Sequence, residues 1–456
     1  MSVPSRREFL AAAALAPVVH AAPAADSRLS VATFTEDVSP PIGHPSMAGG
    51  IAPVKEIVDP LFANGFVLQG AGDPVAVVAI DWCEIRNDAY DRWREALAEA
   101  IGTRRERVLV ASVHQHDAPV ADLTAQRLLD EAKAKGAICD LEFHERAVRK
   151  VAKAARAAIA RSRRVTHVGT GQAKVDRVAS NRRYLDEAGR VRFDRTSATR
   201  DPKARAADGG LIDPYLKTLS LWDGDRPVLA LSAYATHPMS FYGKGGVSAD
   251  FVGLARKLRQ AEEPRTFQMY ASGCSGNVTA GKYNDGSPDN RVVLAKRVHE
   301  AIREAWKNTT TQAIGTCGFR TTPLRLPVRS GKGFTEADLT KRLREDPKPF
   351  GQSLAALGLS WRKRVLADRP IDVCAIDFGG PAFLLLPAEA YVEYQLMAQA
   401  ARPKGFVVTA GYGECGPGYI PTEEAWREGD SNLADWCWVD PGSEERMRKA
   451  IGEVLK

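Results

Sequence analysis

The chain has 456 residues and a net charge of +7, from 63 Lys and Arg against 56 Asp and Glu, and 44% of its residues are hydrophobic. Its 26% charged and 7% aromatic residues are ordinary for a globular protein and exclude collagen-like, disordered and coiled-coil classes. The length is ample to bury a core without staples, and past the N-terminus no run approaches the roughly 20 apolar residues that span a bilayer.

The first 25 residues read as an address. Ser5-Arg6-Arg7-Glu8-Phe9-Leu10 is a twin-arginine pattern, an apolar run covers residues 11–19, and small residues at 21–25 offer cleavage sites. The order charged, apolar, small is that of an export signal, and the paired arginines point to the twin-arginine route. That route carries proteins already folded, which suits a metal enzyme finished before export. The expectation is a periplasmic or secreted protein with one catalytic domain over residues 27–456.

Short apolar runs at residues 75–80, 108–113, 227–234, 267–271, 382–386 and 406–410 predict buried strands. Helical spacing is present in residues 89–101, 141–160, 289–306 and 391–401. The alternation predicts a single large α/β domain, with a mostly buried mixed sheet flanked by helices and the active site at the strand C-terminal ends. Residues 196–210 read as a loop. Residues 327–344 are polar and lead into a helical patch at 339–357. The helix at 141–160 places Ala147, Val148, Val151, Ala155, Ala158 and Ile159 on one face and much of the excess positive charge elsewhere. That pattern is a solvated face; without aromatic interleaving it argues against a nucleic-acid surface. The seven cysteines are scattered and contain no C-x-x-C pair, so zinc-finger and thioredoxin-like readings fail.

Five motifs carry chemistry. His114-Gln115-His116-Asp117-Ala118-Pro119 follows a predicted strand, and histidines two apart leave an extended strand on the same side. Imidazoles so placed are natural zinc ligands. The segment is not H-x-H-x-D-H, because Asp117 comes one place early, and it comes too late to be the first strand of a TIM-barrel amidohydrolase. His237-Pro238 ends a second apolar strand. Ser272-Gly273-Cys274-Ser275-Gly276-Asn277 is a tight turn presenting a hydroxyl but not a nucleophile elbow, since Asn277 stands where G-x-S-x-G needs glycine. Pro387-Ala388-Glu389 ends another strand, and Gly416-Pro417-Gly418-Tyr419 lies in a loop after the last one. A carboxylate and a phenol are acceptable oxygen ligands for a hard-to-borderline cation.

Taken in order, these motifs resemble the catalytic domain of the neutral/alkaline, non-lysosomal ceramidases. Asp37-Val38-Ser39-Pro40-Pro41-Ile42-Gly43 followed by Met47-Ala48-Gly49-Gly50 is similar to that family's D-I-T-P-P-x-G…M-x-G-Y. His114-Gln115-His116 resembles T-H-T-H-S-G-P, Asn181-Arg182 resembles N-R-S-P, and His237-Pro238 with Ser248-Ala249-Asp250 resembles H-P-T…S-G-D. Cys274-Ser275-Gly276-Asn277 resembles D-V-S-P-N, Pro387-Ala388-Glu389 resembles P-G-E, and Tyr419-Ile420-Pro421-Thr422-Glu423-Glu424 resembles Y-I-T-T-x-E-E. The resemblance covers residues 30–430.

It implies one Zn²⁺ held by His114, His237, Glu389 and Tyr419. It puts His116 at an acid/base position, Arg182 on the substrate or developing oxyanion, and Ser275 in a hydrogen-bonding role. The implied reaction is hydrolysis of an N-acyl amide by a zinc-activated water, on a small-molecule or lipid amide, with peripheral membrane contact and no nucleic acid. The departures are specific. Asp117 places a carboxylate beside the histidines. Arg183-Tyr184 replaces Ser-Pro, and residues 429–433 hold no second tyrosine. No C-terminal immunoglobulin-like domain is expected. These changes leave a zinc-dependent esterase or deacylase on a more polar substrate as the alternative.

Overall fold

The computed structural model describes residues 29–456, so the twin-arginine pattern and the rest of the expected export signal lie outside the described residues. The strand Val75–Ile80 shows how the layers form. Every one of its residues is buried, because both of its faces are covered. Ala76, Val78 and Ile80 enter one core with Trp93 and Leu97 of the helix Asn87–Ile101 and Val148 and Val151 of the helix Leu141–Ile159. Val75, Val77 and Ala79 enter a second core with Leu219, Leu229 and Leu231 of another sheet and Leu294 and Val298 of the helix Asp289–Lys307. Alternation of side chains across the pleat thus divides one strand between two cores.

The three larger sheets are all mixed. Each contains one parallel pair at an edge: Val75–Ile80 with Val108–Ser112, Arg226–Tyr234 with Phe267–Ser272, and Pro381–Leu385 with Phe406–Ala410. The ends of these strands are tied across the sheets. Ser112 N–H donates to Tyr412 O at 2.9 Å and Gly411 N–H to Ser272 O at 2.8 Å, while Ser272 Oγ donates to Val113 O at 2.7 Å. Three sheet edges therefore meet at their C-terminal ends. Three non-glycine residues there adopt left-handed backbone: His114 at φ 73°, Ala388 at φ 53° and Tyr412 at φ 58°. Such strain persists where the surroundings over-determine it, and it concentrates at functional sites.

The fold is the expected α/β domain, with local corrections. The loop at 196–210 contains a short helix, Pro202–Ala206. The patch at 339–357 is two helices, Glu336–Glu345 and Pro349–Leu366, split where Pro347 and Pro349 remove backbone donors. Strand Phe62–Gln69, strand Tyr215–Asp223 and helix Asp250–Glu262 were not predicted. The helix at 141–160 does turn Arg149, Lys150, Lys153 and Arg156 to solvent, with ion pairs from Arg149 to Glu145 and from Lys150 to Glu36. The seven cysteines form no disulfide, and among the described residues no helix is long and apolar enough to cross a membrane.

Candidate metal centre

His114 follows the strand Val108–Ser112 and turns inward through its left-handed backbone; its N–H donates to Trp82 O at 2.9 Å. The extended H-x-H expected from the sequence is therefore absent, because the strand has already ended. His237 leaves the strand Arg226–Tyr234, anchored by its N–H on Val278 O at 2.9 Å. Glu389 begins a two-residue strand paired in parallel with Tyr419–Ile420, in register with Tyr419. Gly276 lets the serine turn approach this strand: its N–H donates to Ala390 O at 3.0 Å, and a Cβ there would collide with Glu389 O.

The three side chains converge in a dry place; His114 is 2% exposed, His237 0% and Glu389 2%. His237 Nε2 lies 2.8 Å from Glu389 Oε2 and His114 Nε2 lies 3.3 Å from the same oxygen. The other nitrogen of each ring faces a carbonyl. His114 Nδ1 is 2.8 Å from Cys83 O, and His237 Nδ1 is 2.5 Å from Ser275 O. A carbonyl only accepts, so each Nδ1 carries the hydrogen and each neutral ring presents an Nε2 lone pair to the carboxylate. Lone pairs cannot meet at these distances without a cation between them. Donor atoms about 2.1 Å from a common zinc at tetrahedral angles stand roughly 3.4 Å apart, so the trio needs little adjustment to hold one. One candidate ligand atom from each of His114, His237 and Glu389 lies within 4.8 Å of the others. The residues fit the metal.

Electrostatics agree with the geometry. Burial disfavours charge on His114, yet attraction to Glu389 outweighs it and raises the His114 pKa. Burial, reinforced by repulsion from Arg182, pushes His237 down to about 4. Glu389 falls well below the usual carboxylate range, because the two histidines overcome its desolvation. The buried carboxylate thus favours positive charge at His114, the position a metal ion would take over.

Tyr419 lines the same cavity as His114, His116 and Glu389. Its hydroxyl accepts from Arg182 Nη1 at 2.7 Å, and the guanidinium sits 5.2 Å from its ring centre. Burial raises the phenol pKa, and Arg182 opposes that rise. Arg182 is itself buried, 4% exposed, and turned toward Tyr419. His116 stands edge-on to His114 at 5.4 Å and to Tyr242 at 4.9 Å. Burial and the neighbouring histidines hold its pKa well below the usual value, so it is a neutral base at pH 7. Ser275 Oγ is 3.2 Å from Gly273 O and 2.7 Å from Tyr412 Oη, and it does not line the cavity. Asp117 is turned away from the imidazoles: its Oδ1 accepts from Gly243 N–H at 2.7 Å, and its Oδ2 lies 3.7 Å from Arg291. It fastens the loop that brings Tyr242 onto His116.

Several contributors escaped sequence reasoning. Tyr412 stacks on His114 at 4.2 Å and 18°. Its sequence context, a tyrosine between two glycines after a predicted strand, does not announce that role. Met47, Phe350, Leu354 and Trp436 form an apolar wall of a cavity of about 240 Å³, with Asp435 also lining it. Trp436 is held by its indole N–H on Glu84 at 3.0 Å. Beneath lies a fully buried ion pair, with Arg86 Nη1 2.6 Å from Glu84.

No family model and no curated protein matches the sequence. Solved structures do share its shape. A ceramidase described as complexed with C2 aligns at TM-score 0.67 and 16% identity, over 94% of this chain and 75% of its own. The neutral ceramidase from Pseudomonas aeruginosa aligns at TM-score 0.67 and 16% identity, over 94% of this chain and 74% of its own. The chain therefore has the fold of the neutral ceramidases, in a sequence far diverged from theirs.

Proposed function

We propose that the protein is an exported, zinc-dependent hydrolase of the ceramidase type that cleaves the amide bond of an N-acyl substrate. The observation that carries this reading is the buried meeting of His114 Nε2, His237 Nε2 and Glu389 Oε2, with both Nδ1 positions committed to carbonyls. His114, His237 and Glu389 would hold the ion, with the Tyr419 hydroxyl as fourth donor. Zinc bound there would supply Lewis acidity toward the scissile carbonyl and lower the pKa of water.

The rest is done by the chain. His116, neutral and facing the cavity, takes a proton from the attacking water and returns it to the leaving amine nitrogen. Arg182 holds the Tyr419 hydroxyl and favours negative charge beside it. The wall of Met47, Phe350, Leu354 and Trp436 receives the acyl chain.

The test is metal analysis of the purified protein together with hydrolysis of N-acylsphingosines. One equivalent of zinc and release of free fatty acid are expected, both lost in His114→Ala plus His237→Ala. Protein without zinc, or zinc retained by the double variant, overturns the reading. The cavity also favours a second reading within the same site. At about 240 Å³ it is smaller than the roughly 300–1,000 Å³ of most ligand pockets, and exposed Asp435 lies on it. That combination suits a short acyl group on a polar partner, an ester or an acylated sugar. Activity on short esters with none on N-acylsphingosine would select it. The export route is tested by fractionating cells expressing the chain with Arg6→Lys plus Arg7→Lys; retention in the cytoplasm is expected.

A further inference from the structure

The thiol of Cys83 belongs to none of the steps above, yet it lines the same cavity. The residue follows the strand Val75–Ile80, and its carbonyl is the group that orients His114. One candidate ligand atom from each of Cys83, His114 and His116 lies within 4.8 Å of the others. A second observation is independent of the cysteine. His116 Nδ1 is a buried atom without a hydrogen-bond partner, whereas His114 Nε2, 3.3 Å from Glu389 Oε2, is already claimed by the hydrolytic trio.

The two donor groups of this pocket share His114 and differ in chemistry. His114, His237 and Glu389, with the phenol of Tyr419, offer nitrogen and oxygen. Cys83, His114 and His116 offer sulfur and two nitrogens. Thiolate ligands select soft cations, whereas imidazole with carboxylate suits zinc and harder ions. A single Nε2 lone pair binds one cation at a time.

We propose that Cys83, His114 and His116 form a thiophilic metal site that excludes the hydrolytic one, so that a soft cation such as Cd²⁺ captures His114 and displaces the zinc. The inference rests on the reading of His114, His237 and Glu389 as the hydrolytic metal ligands. On binding, the Cys83 thiol loses its proton to solvent and a sulfur–metal bond forms; no electron is transferred. The consequence is an enzyme switched off by soft metals through a side chain that takes no part in hydrolysis.

The experiment titrates metal-free full-length protein with Cd²⁺ and follows the sulfur-to-metal charge-transfer band in the ultraviolet. The band should saturate at one equivalent, vanish in Cys83→Ser and persist in His237→Ala. In His116→Ala the cadmium affinity should fall by at least ~10-fold, the loss that even outer partners of a metal site cause. Zinc-loaded protein should release one zinc for each cadmium bound. An undiminished band in Cys83→Ser assigns the thiol elsewhere and overturns the proposal. So does loss of the band in His237→Ala, or cadmium binding with full zinc retention. His116→Ala, at a half-buried position, keeps the test valid if Cys83→Ser folds poorly. Failure to bind zinc at all removes the hydrolytic reading, whereas the cadmium band in metal-free protein is read without it.

Discussion

Glu389→Gln separates a metal ligand from a structural carboxylate because the two roles predict opposite signs. In the metal-free protein, Glu389 is a buried anion 2.8 Å from His237 Nε2 and 3.3 Å from His114 Nε2. Above the raised pKa of His114 both rings are neutral and point lone pairs at it. A glutamine of the same shape removes the charge and offers amide hydrogens to those lone pairs. Where the pH lies above that raised pKa, the metal-free variant should therefore be more stable, by on the order of 1–3 kcal/mol, the cost of an imperfectly satisfied buried group. Metal binding should move the other way. A four-ligand zinc site is worth about 10–16 kcal/mol, or roughly 2.5–4 kcal/mol per ligand, which corresponds to a ~70- to 1,000-fold loss of zinc affinity. Urea denaturation in excess chelator gives the first quantity, and competition with a chromophoric chelator gives the second. A zinc affinity within about threefold of wild type, or a metal-free variant destabilised as much as the zinc-loaded one, would refute the reasoning.

Arg182→Met leaves the Tyr419 hydroxyl without the donor it now has at 2.7 Å. A charged hydrogen bond of this kind is worth about 1.5–3 kcal/mol, so zinc affinity should fall ~10- to 100-fold, measured by the same competition assay. Zinc binding should also weaken with acid, because the ion must displace the proton on His114. Since that pKa lies above 6.5, the Kd should be flat at high pH and rise about tenfold per pH unit once His114 protonates; a Kd independent of pH from 8 to 5 would contradict this. His144, buried between Trp82 and Trp93 with both ring nitrogens unpartnered, is pushed down to about 4 by burial. The unfolded chain takes up that proton near 6.5 and the folded chain only near 4, so stability is full above 6.5 and falls by up to roughly 3 kcal/mol between those values. His144→Leu should flatten that segment of the denaturation-against-pH curve relative to wild type. Arg86→Met strands Glu84 and Asp122, 2.6 and 3.8 Å from the guanidinium and all wholly buried. Loss of about 3–5 kcal/mol in urea unfolding is expected, and less than about 1 kcal/mol would show the pair to be dispensable.

The parts of the fold legible in the sequence are those where one physical term dominates. Val75–Ile80 reads as a strand because both faces are covered and no polar residue interrupts it. Phe62–Gln69 is its hydrogen-bonded neighbour yet escapes notice, since Asn64 and Gly65 break the run. Gly65 is there because the Phe34 ring occupies the space its Cβ would need, a reason that exists only once the sheet is assembled. Tyr215–Asp223 hides in the same way behind Lys217, Thr218 and Ser220, which are buried in the folded chain.

The site divides along similar lines. The convergence of His114, His237 and Glu389 was legible because their residue types and order are chemically restrictive, although they follow strands of three different sheets. Tyr412 and Cys83 were not, since nothing in a tyrosine after a strand, or a cysteine after another, announces a ring stacked on a ligand or a thiol beside one. Asp117 misleads for the complementary reason: proximity in sequence to two histidines placed it in the site, while the left-handed backbone at His114 and the pull of Gly243 and Arg291 turn it away. The same backbone feature explains why local rules fail here. His114, Ala388 and Tyr412 each adopt φ values that their side chains disfavour, so a reading built on local preference would place no turn at any of them. Backbone bonds hold them there, from His114 N–H to Trp82 O and from Tyr412 N–H to Ala388 O, while those from Ser112 to Tyr412 and from Gly411 to Ser272 tie the sheets together; such non-local bonds, not local preference, bring two imidazoles and a carboxylate to one point.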